Sequence, residues 1–190
     1  FADQKNLEII HEDILEVDVS SFKLQASRYK IVANIPYYIT SHFLRQFLTT
    51  ENQPSMMVLM IQKEVAKRII AQDKKESILS ISVKAYGQPK IIKTVPAKFF
   101  SPRPKVDSAI IKIDNISKKF FENIKEEEFF EMVKKGFAHK RKVLRNNLKI
   151  PSEALKKCNL PEKARAEELG LENWKRLFIH IRKSQSSDPK

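Results

Sequence analysis

The sequence predicts an α/β protein in which an open, mostly parallel sheet is followed by a smaller all-α domain. Three observations lead to this prediction. Strand-like apolar runs alternate with helical patterns in the first half of the chain, two extended stretches then flank a proline-rich loop, and the last third shows only helical patterns. We place the first domain at residues 1–116 and the second at residues 117–190.

Three short runs predict parallel strands, at residues 7–11, 29–33 and 55–61. Each run is rich in β-branched or apolar residues, which is typical of strands that are buried on both faces of a sheet. Helical patterns follow the second and third runs. Thr40 is a candidate N-cap for the first predicted helix. The apolar positions of that helix are Phe43, Leu44, Phe47 and Leu48.

The alternation then continues to the end of the sheet. Residues 62–71 and 78–86 are predicted helices, with Val65, Ile69 and Ile70 on one face of the former. Two extended stretches come next and predict an antiparallel pair at the edge of the sheet, separated by a loop that Pro102 and Pro104 stiffen. These stretches are residues 90–95 and 108–113.

The second domain is predicted to be helical throughout, with helices at residues 126–140, 141–148, 152–157 and 171–182. The breaks between its last helices are Pro151, Pro161 and Gly170. Trp174, Leu177 and Phe178 are expected to form part of the core of the last helix pair.

Composition narrows the classes of function. The 190 residues carry a formal net charge of +13, which favours a polyanionic partner such as nucleic acid. Cys158 is the only cysteine and the four histidines are scattered, so neither a disulfide nor a metal site is expected. With no apolar run long enough to cross a bilayer, we expect a cytoplasmic protein without a membrane partner.

The basic charge is concentrated in one segment. Residues 134–149 contain seven basic residues and no acidic one, so a helical face there would lack acidic partners. An RNA backbone would supply the missing counter-charge. An ordinary solvated face, or packing of Arg145, Asn146 and Asn147 between domains, remains the alternative.

The tetrapeptide Asn34-Ile35-Pro36-Tyr37, directly after a predicted strand, suits the methylation of an adenine amino group. The N6 lone pair is delocalised into the ring, and two acceptors on its N–H groups would direct it at a methyl donor. The Asn34 oxygen and the Ile35 carbonyl are candidate acceptors, because Pro36 holds the chain extended. Tyr37 offers a face for stacking a flipped-out base. The alternative is a plain turn with Tyr37 partly in the core.

Asp13 also follows a predicted strand, at the position where open α/β sheets bind ligands. Its carboxylate is a candidate acceptor for a ligand amine or ribose, or else a cap for the next turn. None of the three glycines lies in a Gly-rich strand-to-helix turn, so a phosphate- or nucleotide-binding loop is not found in this chain.

Five segments together resemble motifs of the rRNA adenine N6,N6-dimethyltransferase family, in the order in which that family carries them. Joint agreement over nearly the whole chain is far more specific than any single segment. The segments are Leu7–Asp13, Asn34–Tyr37, Gln62–Val65, Phe100–Ser108 and Lys140–Leu148. The resemblance implies a Rossmann-like class I methyltransferase sheet that lacks its N-terminal strands, followed by the helical domain.

The resemblance implies a role for each motif residue. Phe100 would be the second aromatic wall around the target base, opposite Tyr37, while Phe99 is expected in the core. Arg103 and Lys105 would contact phosphates or remain solvated. The cofactor would be S-adenosylmethionine, contacted by Asp13, Ile14 and Asn34, and the RNA-binding residues of the second domain would be Lys140, Arg141, Lys142 and Arg145.

The implied activity is dimethylation of two adjacent adenosines in the 3′-terminal hairpin of small-subunit rRNA, within the assembling subunit, by a monomeric enzyme. Without the family's Gly-rich cofactor loop, we expect that this chain is an N-terminally incomplete piece and that it binds S-adenosylmethionine poorly and is inactive alone. Smaller departures are Ala33, where the family commonly has glycine, and residues 75–79. The alternatives are a non-catalytic RNA-binding assembly factor and a methylase of large-subunit rRNA or of DNA adenine.

Overall fold

A computed structural model describes residues 7–17 and 29–186 of the chain. The sheet region contains four strands and three α-helices, and the region after it contains four more α-helices. In chain order the elements are β1 (Lys30–Asn34), α1 (Thr40–Thr49), β2 (Met56–Gln62), α2 (Lys63–Ile70), α3 (Ile78–Tyr86), β3 (Gln88–Val95), β4 (Ser108–Asp114), α4 (Glu126–Gly136), α5 (Leu144–Leu148), α6 (Ser152–Lys157) and α7 (Leu171–Ser186).

The four strands form one sheet in the order β1-β2-β4-β3. β1 runs parallel to β2, and β4 runs antiparallel to both of its neighbours. The carboxyl ends of β1, β2 and β3 therefore lie along the same edge of the sheet as the amino end of β4. We call this the strand-end edge.

The predicted antiparallel pair is confirmed, but only β3 lies at the border of the sheet. β4 inserts between β2 and β3 and buries Ile111 and Ile113 completely. β3 exposes Lys90 and Lys93, and charged side chains suit a strand that has one unpaired edge.

The predicted strand at residues 7–11 is wrong. The structure gives this stretch no strand, and Ile9 is 76% exposed. A strand needs a partner for its backbone N–H and C=O groups, and in the part of the chain that the structure describes, none pairs with this segment. A β-branched composition is not sufficient without that partner.

The helix before β2 confirms the predicted buried positions, since Phe43, Leu44, Phe47 and Leu48 are all at most 3% exposed. Its start differs from the prediction, because Thr40 is the first helical residue and Ile39 the N-cap. A short 3-10 turn at Tyr37–Ile39 leads into the helix, and the Thr40 hydroxyl donates back to the Tyr37 carbonyl at 2.9 Å. This turn takes the place of an N-cap side chain.

The first two helices of the helical region are separated by a turn. Helix α4 ends at Gly136, and α5 begins at Leu144. The predicted helices over residues 126–140 and 141–148 are therefore too long at the point where they meet. The Asn147 side-chain amide donates to the carbonyls of Gly136 at 2.6 Å and of His139 at 3.2 Å. These bonds satisfy carbonyl groups at the end of α4 and stabilise a turn in place of further helix.

The core lies between the sheet and α1–α3 and continues into the helical region. Met57, Leu59 and Ile61 of β2 are fully buried on the helix side, whereas Val32 on the opposite face is 79% exposed. Trp174 is fully buried, and Leu177 and Phe178 are also buried, as predicted. The ring of Tyr86 lies 5.2 Å from that of Phe121, so one core spans residues on both sides of the predicted 116/117 boundary. That boundary stays a prediction.

Candidate active site at the strand-end edge

Asn34 is the last residue of β1 and lies on the strand-end edge. Its side chain is exposed, and no other side chain or backbone group of the described residues hydrogen-bonds to it. The Ile35 carbonyl likewise accepts no bond from a described donor. Pro36 is extended (φ −57°, ψ 136°) and precedes the 3-10 turn. An amide oxygen and a carbonyl oxygen at adjacent residues thus lack a hydrogen-bond donor among the described residues, the former on an exposed residue and the latter on Ile35, which is 5% exposed.

Tyr37 is fixed by a long-range hydrogen bond. Its hydroxyl lies 2.6 Å from the Ser108 hydroxyl, and Ser108 is fully buried at the start of β4. Because Ser108 pairs with Gln62 at the end of β2, the bond joins the exits of β1 and β2 to the loop before β4. The ring of Tyr37 is therefore positioned by the sheet and not by its own turn alone.

The loop at residues 96–107 is tied down by Asp107. One carboxylate oxygen accepts the Ala97 N–H at 3.1 Å, and the other lies 3.4 Å from the Lys63 ammonium. The Lys63 N–H in turn donates to the Asp107 carbonyl at 3.0 Å. The Ala97 N–H and then the Lys63 ammonium hold the pKa of Asp107 below its ordinary value. Both ends of the loop are thereby held against the start of α2.

The two phenylalanines of this loop occupy different environments. Phe99 is 72% exposed, so its predicted place in the core is wrong, while Phe100 is half-buried. The loop opens with a 3-10 turn at Ala97–Phe99 in which Ala97 is the buried residue. Residues three apart share a face of such a turn. Phe100 therefore follows Ala97 inward and Phe99 cannot. The Ser101–Pro102 peptide bond is cis.

Asp13 lies at the start of a turn that the Glu16 N–H closes by donating to the Asp13 carbonyl. One oxygen of its exposed carboxylate accepts the Leu15 N–H at 2.9 Å, so the carboxylate stabilises its own turn, and the second oxygen has no partner among the described residues. The Gln46 amide donates to the Ile14 carbonyl at 3.3 Å and so holds this segment to α1. A cleft of about 440 Å³ runs along β1. Its lining includes Ile14, Asn34, Pro36, Phe43 and Phe47.

The basic segment lies around the turn between α4 and α5. All seven of its Lys and Arg side chains are exposed, and the described residues offer them no ion pair within 4 Å. Lys140, Arg141 and Lys142 lie in the turn itself and not on a helix. Packing inside the protein was the alternative for Arg145, Asn146 and Asn147. Only Asn147 packs in this way, and Arg145 and Asn146 are exposed.

The structure thus brings Asn34, Tyr37 and the loop of Phe100 to one edge, with Ile14 across the adjoining cleft. Sequence reasoning did not identify Ser108, or the link from Lys63 to Asp107, as parts of the site. Lys63 and Asp107 both lie in segments that resemble family motifs, so the sequence indicated that each segment matters. It did not indicate that the two residues are in contact, because they are 44 residues apart. Only the pairing of β2 with β4 makes them neighbours.

Neither a metal cluster nor a membrane-spanning helix occurs in the part of the chain that the structure describes. No group of three or more His, Cys, Asp or Glu side chains is placed to hold a metal ion in residues 7–17 and 29–186. None of the helices in these ranges has the length and apolar character to cross a membrane.

Comparison with known proteins gives consistent relationships. The sequence profile of the ribosomal RNA adenine dimethylase family matches residues 1–183. The chain is 40% identical over 187 residues to ribosomal RNA small subunit methyltransferase A of Dehalococcoides mccartyi, covering 94% of this chain and 64% of that protein. It is 38% identical to the protein of the same name from Fusobacterium nucleatum, covering 92% and 69%. The chain thus spans slightly less than two thirds of the first of these relatives.

Two solved structures share the fold. A dimethyladenosine transferase from Plasmodium falciparum superposes with a TM-score of 0.80 at 24% identity, over 97% of this chain and 75% of that one. The 23S rRNA methyltransferase ErmE superposes with a TM-score of 0.71 at 22% identity, over 93% and 72%. The fold is therefore that of a Rossmann-like methyltransferase sheet, as predicted.

Proposed function

Because this chain belongs to the ribosomal RNA adenine dimethylase family, we propose that it forms the base-binding side of an S-adenosylmethionine-dependent enzyme that dimethylates N6 of adenine in small-subunit rRNA. The substrate is a pair of adjacent adenosines in the 3′-terminal hairpin, presented by the assembling subunit to a monomeric, cytoplasmic enzyme. The observation that carries the proposal is the free Asn34 carboxamide beside the anchored ring of Tyr37.

Asn34 and Ile35 hold the amino group. The Asn34 side-chain oxygen accepts one N6–H bond and the Ile35 carbonyl accepts the other, since neither has a described donor. Two acceptors on the amino group draw its lone pair out of conjugation and direct it at the methyl donor. Positioning of this kind supplies most of the rate acceleration, because the nitrogen becomes acidic once it is alkylated and needs no strong base beforehand.

Tyr37 and Phe100 hold the flipped-out base between them. Tyr37 is fixed through Ser108, and Phe100 is fixed on the loop that Asp107 ties to Ala97 and Lys63. Aromatic side chains that are already ordered lose little entropy when a base stacks on them. Each such stack is worth about 1–3 kcal/mol.

The cleft along β1 suits part of the cofactor. Ile14 offers an apolar contact on one side, and the free oxygen of Asp13 offers an acceptor for an adenine amine. When bound, S-adenosylmethionine supplies an electrophilic methyl group. Asn34 lines the same cleft, which supports a contact with the cofactor as well as with the base.

The exposed basic segment binds the RNA backbone. Lys140, Arg141, Lys142 and Arg145 form no ion pair within 4 Å with a described carboxylate, so phosphates complete their electrostatic environment. Arg103 and Lys105, both exposed on the loop of Phe100, contact phosphates nearer the target base. Recognition then depends on shape and charge more than on base edges.

Replacing Asn34 in the full-length protein tests the proposal. Asn34→Ala should abolish methyl transfer to unmethylated small subunits while RNA affinity changes less than about twofold, because the carboxamide acts on the amino group and not on the backbone. Gln88→Ala removes an exposed carboxamide at the opposite end of the sheet and should leave both quantities unchanged. Undiminished transfer by Asn34→Ala would contradict the mechanism.

The same assay separates the alternatives. Wild-type protein that binds small subunits but transfers no methyl group to them would support the assembly-factor interpretation, for which the basic segment is sufficient. Preferential methyl transfer to large subunits or to DNA adenine would show that the enzyme acts on one of these alternative substrates and not on small-subunit rRNA.

A further inference from the structure

Among the aromatic residues that the structure describes, only two have exposed side chains. Tyr38 is 89% exposed and Phe99 is 72% exposed, whereas the remaining described aromatic residues are buried or half-buried. Leaving a large aromatic ring in water forgoes the stabilisation that burial would supply, and aromatic side chains are enriched in binding interfaces, so these two rings are candidates for a binding surface.

The positions of these two rings are informative. Tyr38 directly follows Tyr37, and Phe99 directly precedes Phe100, so each exposed ring is the chain neighbour of one proposed wall of the base clamp. The Tyr37–Ser108 hydrogen bond and the Asp107 link to Ala97 hold the two loops at the same strand-end edge. The two exposed rings therefore lie on the same two loops, at the strand-end edge, as the proposed walls of the base clamp.

The charge around Phe99 favours a nucleic acid over a protein partner. The Lys98 ammonium lies 5.4 Å from the centre of the Phe99 ring, and Arg103 and Lys105 are exposed on the same loop. Residues 96–106 contain no acidic residue, and the nearest one, Asp107, is already bound to Ala97 and Lys63. Aromatic rings set among cations are the combination that binds unpaired nucleotides.

We propose that Tyr38 and Phe99 form an outer stacking pair that binds the unpaired nucleotides on either side of the adenine held between Tyr37 and Phe100. This inference rests on the proposed RNA substrate, and it adds contacts to bases that are not themselves methylated. With two adjacent adenosines in the proposed substrate, one lies outside the clamp while the other is bound, and the outer pair offers it a ring on which to stack.

RNA binding measured without cofactor tests the outer pair independently of methyl transfer. The probe is a fluorescein-labelled RNA hairpin whose loop carries two adjacent adenosines, titrated with the full-length protein and its variants. Tyr38→Ala and Phe99→Ala should each raise the Kd about fivefold or more, the lower end of the range for loss of one base stack. Tyr38→Phe and Phe99→Tyr retain a ring and should bind within about twofold of wild type, by the same reasoning.

Matched controls separate ring stacking from general apolar contact, from charge and from misfolding. Val106→Ala removes an exposed apolar side chain of the same loop that cannot stack, and should leave the Kd unchanged. Stacking involves no counterion, so the fold-change for Tyr38→Ala and Phe99→Ala should be the same at about 50 and 200 mM salt. Because both side chains are exposed, the alanine variants should keep the wild-type melting temperature.

Placement of a fluorescent base locates the contact. With 2-aminopurine on one side of the target adenosine, the protein-induced fluorescence change should disappear in one of the two alanine variants and persist in the other, and the reverse should hold on the opposite side. With 2-aminopurine at the target itself, the change should persist in both variants. Wild-type affinity in both alanine variants would overturn the inference and would direct attention to a protein partner for this surface. An equal loss in Tyr38→Phe would also overturn it, since the hydroxyl and not the ring would then carry the contact.

The outcome is separable from that of the proposed function. The stacking pair fails if these affinities do not change, whatever the methyl-transfer result for Asn34→Ala. Conversely, if Asn34→Ala keeps full methyl transfer, the proposed mechanism fails, but the effect of Tyr38→Ala and Phe99→Ala on RNA affinity is not altered.

Discussion

The hydroxyl of Tyr37 lies 2.6 Å from the hydroxyl of Ser108, across 71 residues of sequence. Ser108 is fully buried in the only strand that pairs with both β2 and β3 in the described sheet. The ring proposed to receive the target base is thus held by a strand that has a paired neighbour on each side.

Ser108→Ala should lower the free energy of unfolding by about 1 kcal/mol, because it removes one hydrogen bond in a partly buried setting. Tyr37→Phe should have a similar effect, and the double variant should be no worse than either single one, since both remove the same bond. Denaturant unfolding measures the three values. Full additivity would show that the two hydroxyls act independently.

Asp107→Ala should loosen the loop that carries Phe100, because the Ala97 N–H and the Lys63 ammonium both lose their acceptor. We expect methyl transfer by the full-length protein to fall several-fold with the fold retained. Asp114→Ala is the matched control, since Asp114 has a similar exposure and pairs with Lys112 at the far end of β4. A loss of transfer as large in the control would contradict the specific role of the loop.

The same carboxylate predicts a pH dependence. The pKa of Asp107 is lower in the folded protein than in the unfolded chain, so its contribution to stability is present above the ordinary value of about 3.9 and is lost as the pH falls through the folded value. The difference in unfolding free energy between wild type and Asp107→Ala should therefore be constant from about pH 5 to 8 and shrink below about pH 4. A difference that changes near neutral pH would exclude this carboxylate as its source.

Gly136→Ala should destabilise the helical region by about 1–3 kcal/mol, a typical cost of overpacking. A Cβ atom at Gly136 would lie 2.3 Å from a ring carbon of Trp174 and 2.9 Å from a methyl group of Leu144. At Gly170 a Cβ would meet nothing within 4 Å, so Gly170→Ala is the control and should change stability by less than about 0.5 kcal/mol. Thermal unfolding distinguishes the two.

Replacing Lys140, Arg141, Lys142 and Arg145 by alanine should weaken RNA binding in a salt-dependent way. Each phosphate contact that is lost should reduce the slope of log K against log salt by about 0.7–0.9. Lys156→Ala removes one positive charge from a side chain that pairs with Glu162 at 2.5 Å, and should leave the slope unchanged. Equal slopes for wild type and the fourfold variant would show that the basic segment does not contact phosphates.

Tyr86→Phe tests the junction between the sheet and the helical region, where the Tyr86 hydroxyl donates to the Glu126 carboxylate. Burial, followed by that carboxylate, raises the pKa of Tyr86 above its ordinary value. Its contribution to stability is therefore complete below about pH 10 and is lost as the pH rises further. The wild type should lose unfolding free energy above about pH 10 more steeply than Tyr86→Phe, as measured by denaturant titration at each pH.

Local pattern was sufficient for much of this molecule. The apolar spacing in α1 predicted which side chains are buried, the bounds of α3 and α6 agree with the predicted ones, and the position of Asn34 at a strand end followed from the β-branched run before it. These features depend on residues within one or two turns of each other, so a short stretch of sequence contains all the information they need.

Long-range pairing decided the rest. The insertion of β4 between β2 and β3, the absence of a strand at residues 7–11 and the neighbourhood of Lys63 and Asp107 all depend on partners that are distant in the chain. Even the contrast between Phe99 and Phe100 follows from the buried Ala97 and the anchor that Asp107 provides. The amino-acid sequence alone thus places an amide, a carbonyl and an aromatic ring after one strand. Only tertiary packing joins them to a second loop, because a hydrogen bond between residues 71 positions apart leaves no periodic trace in the sequence.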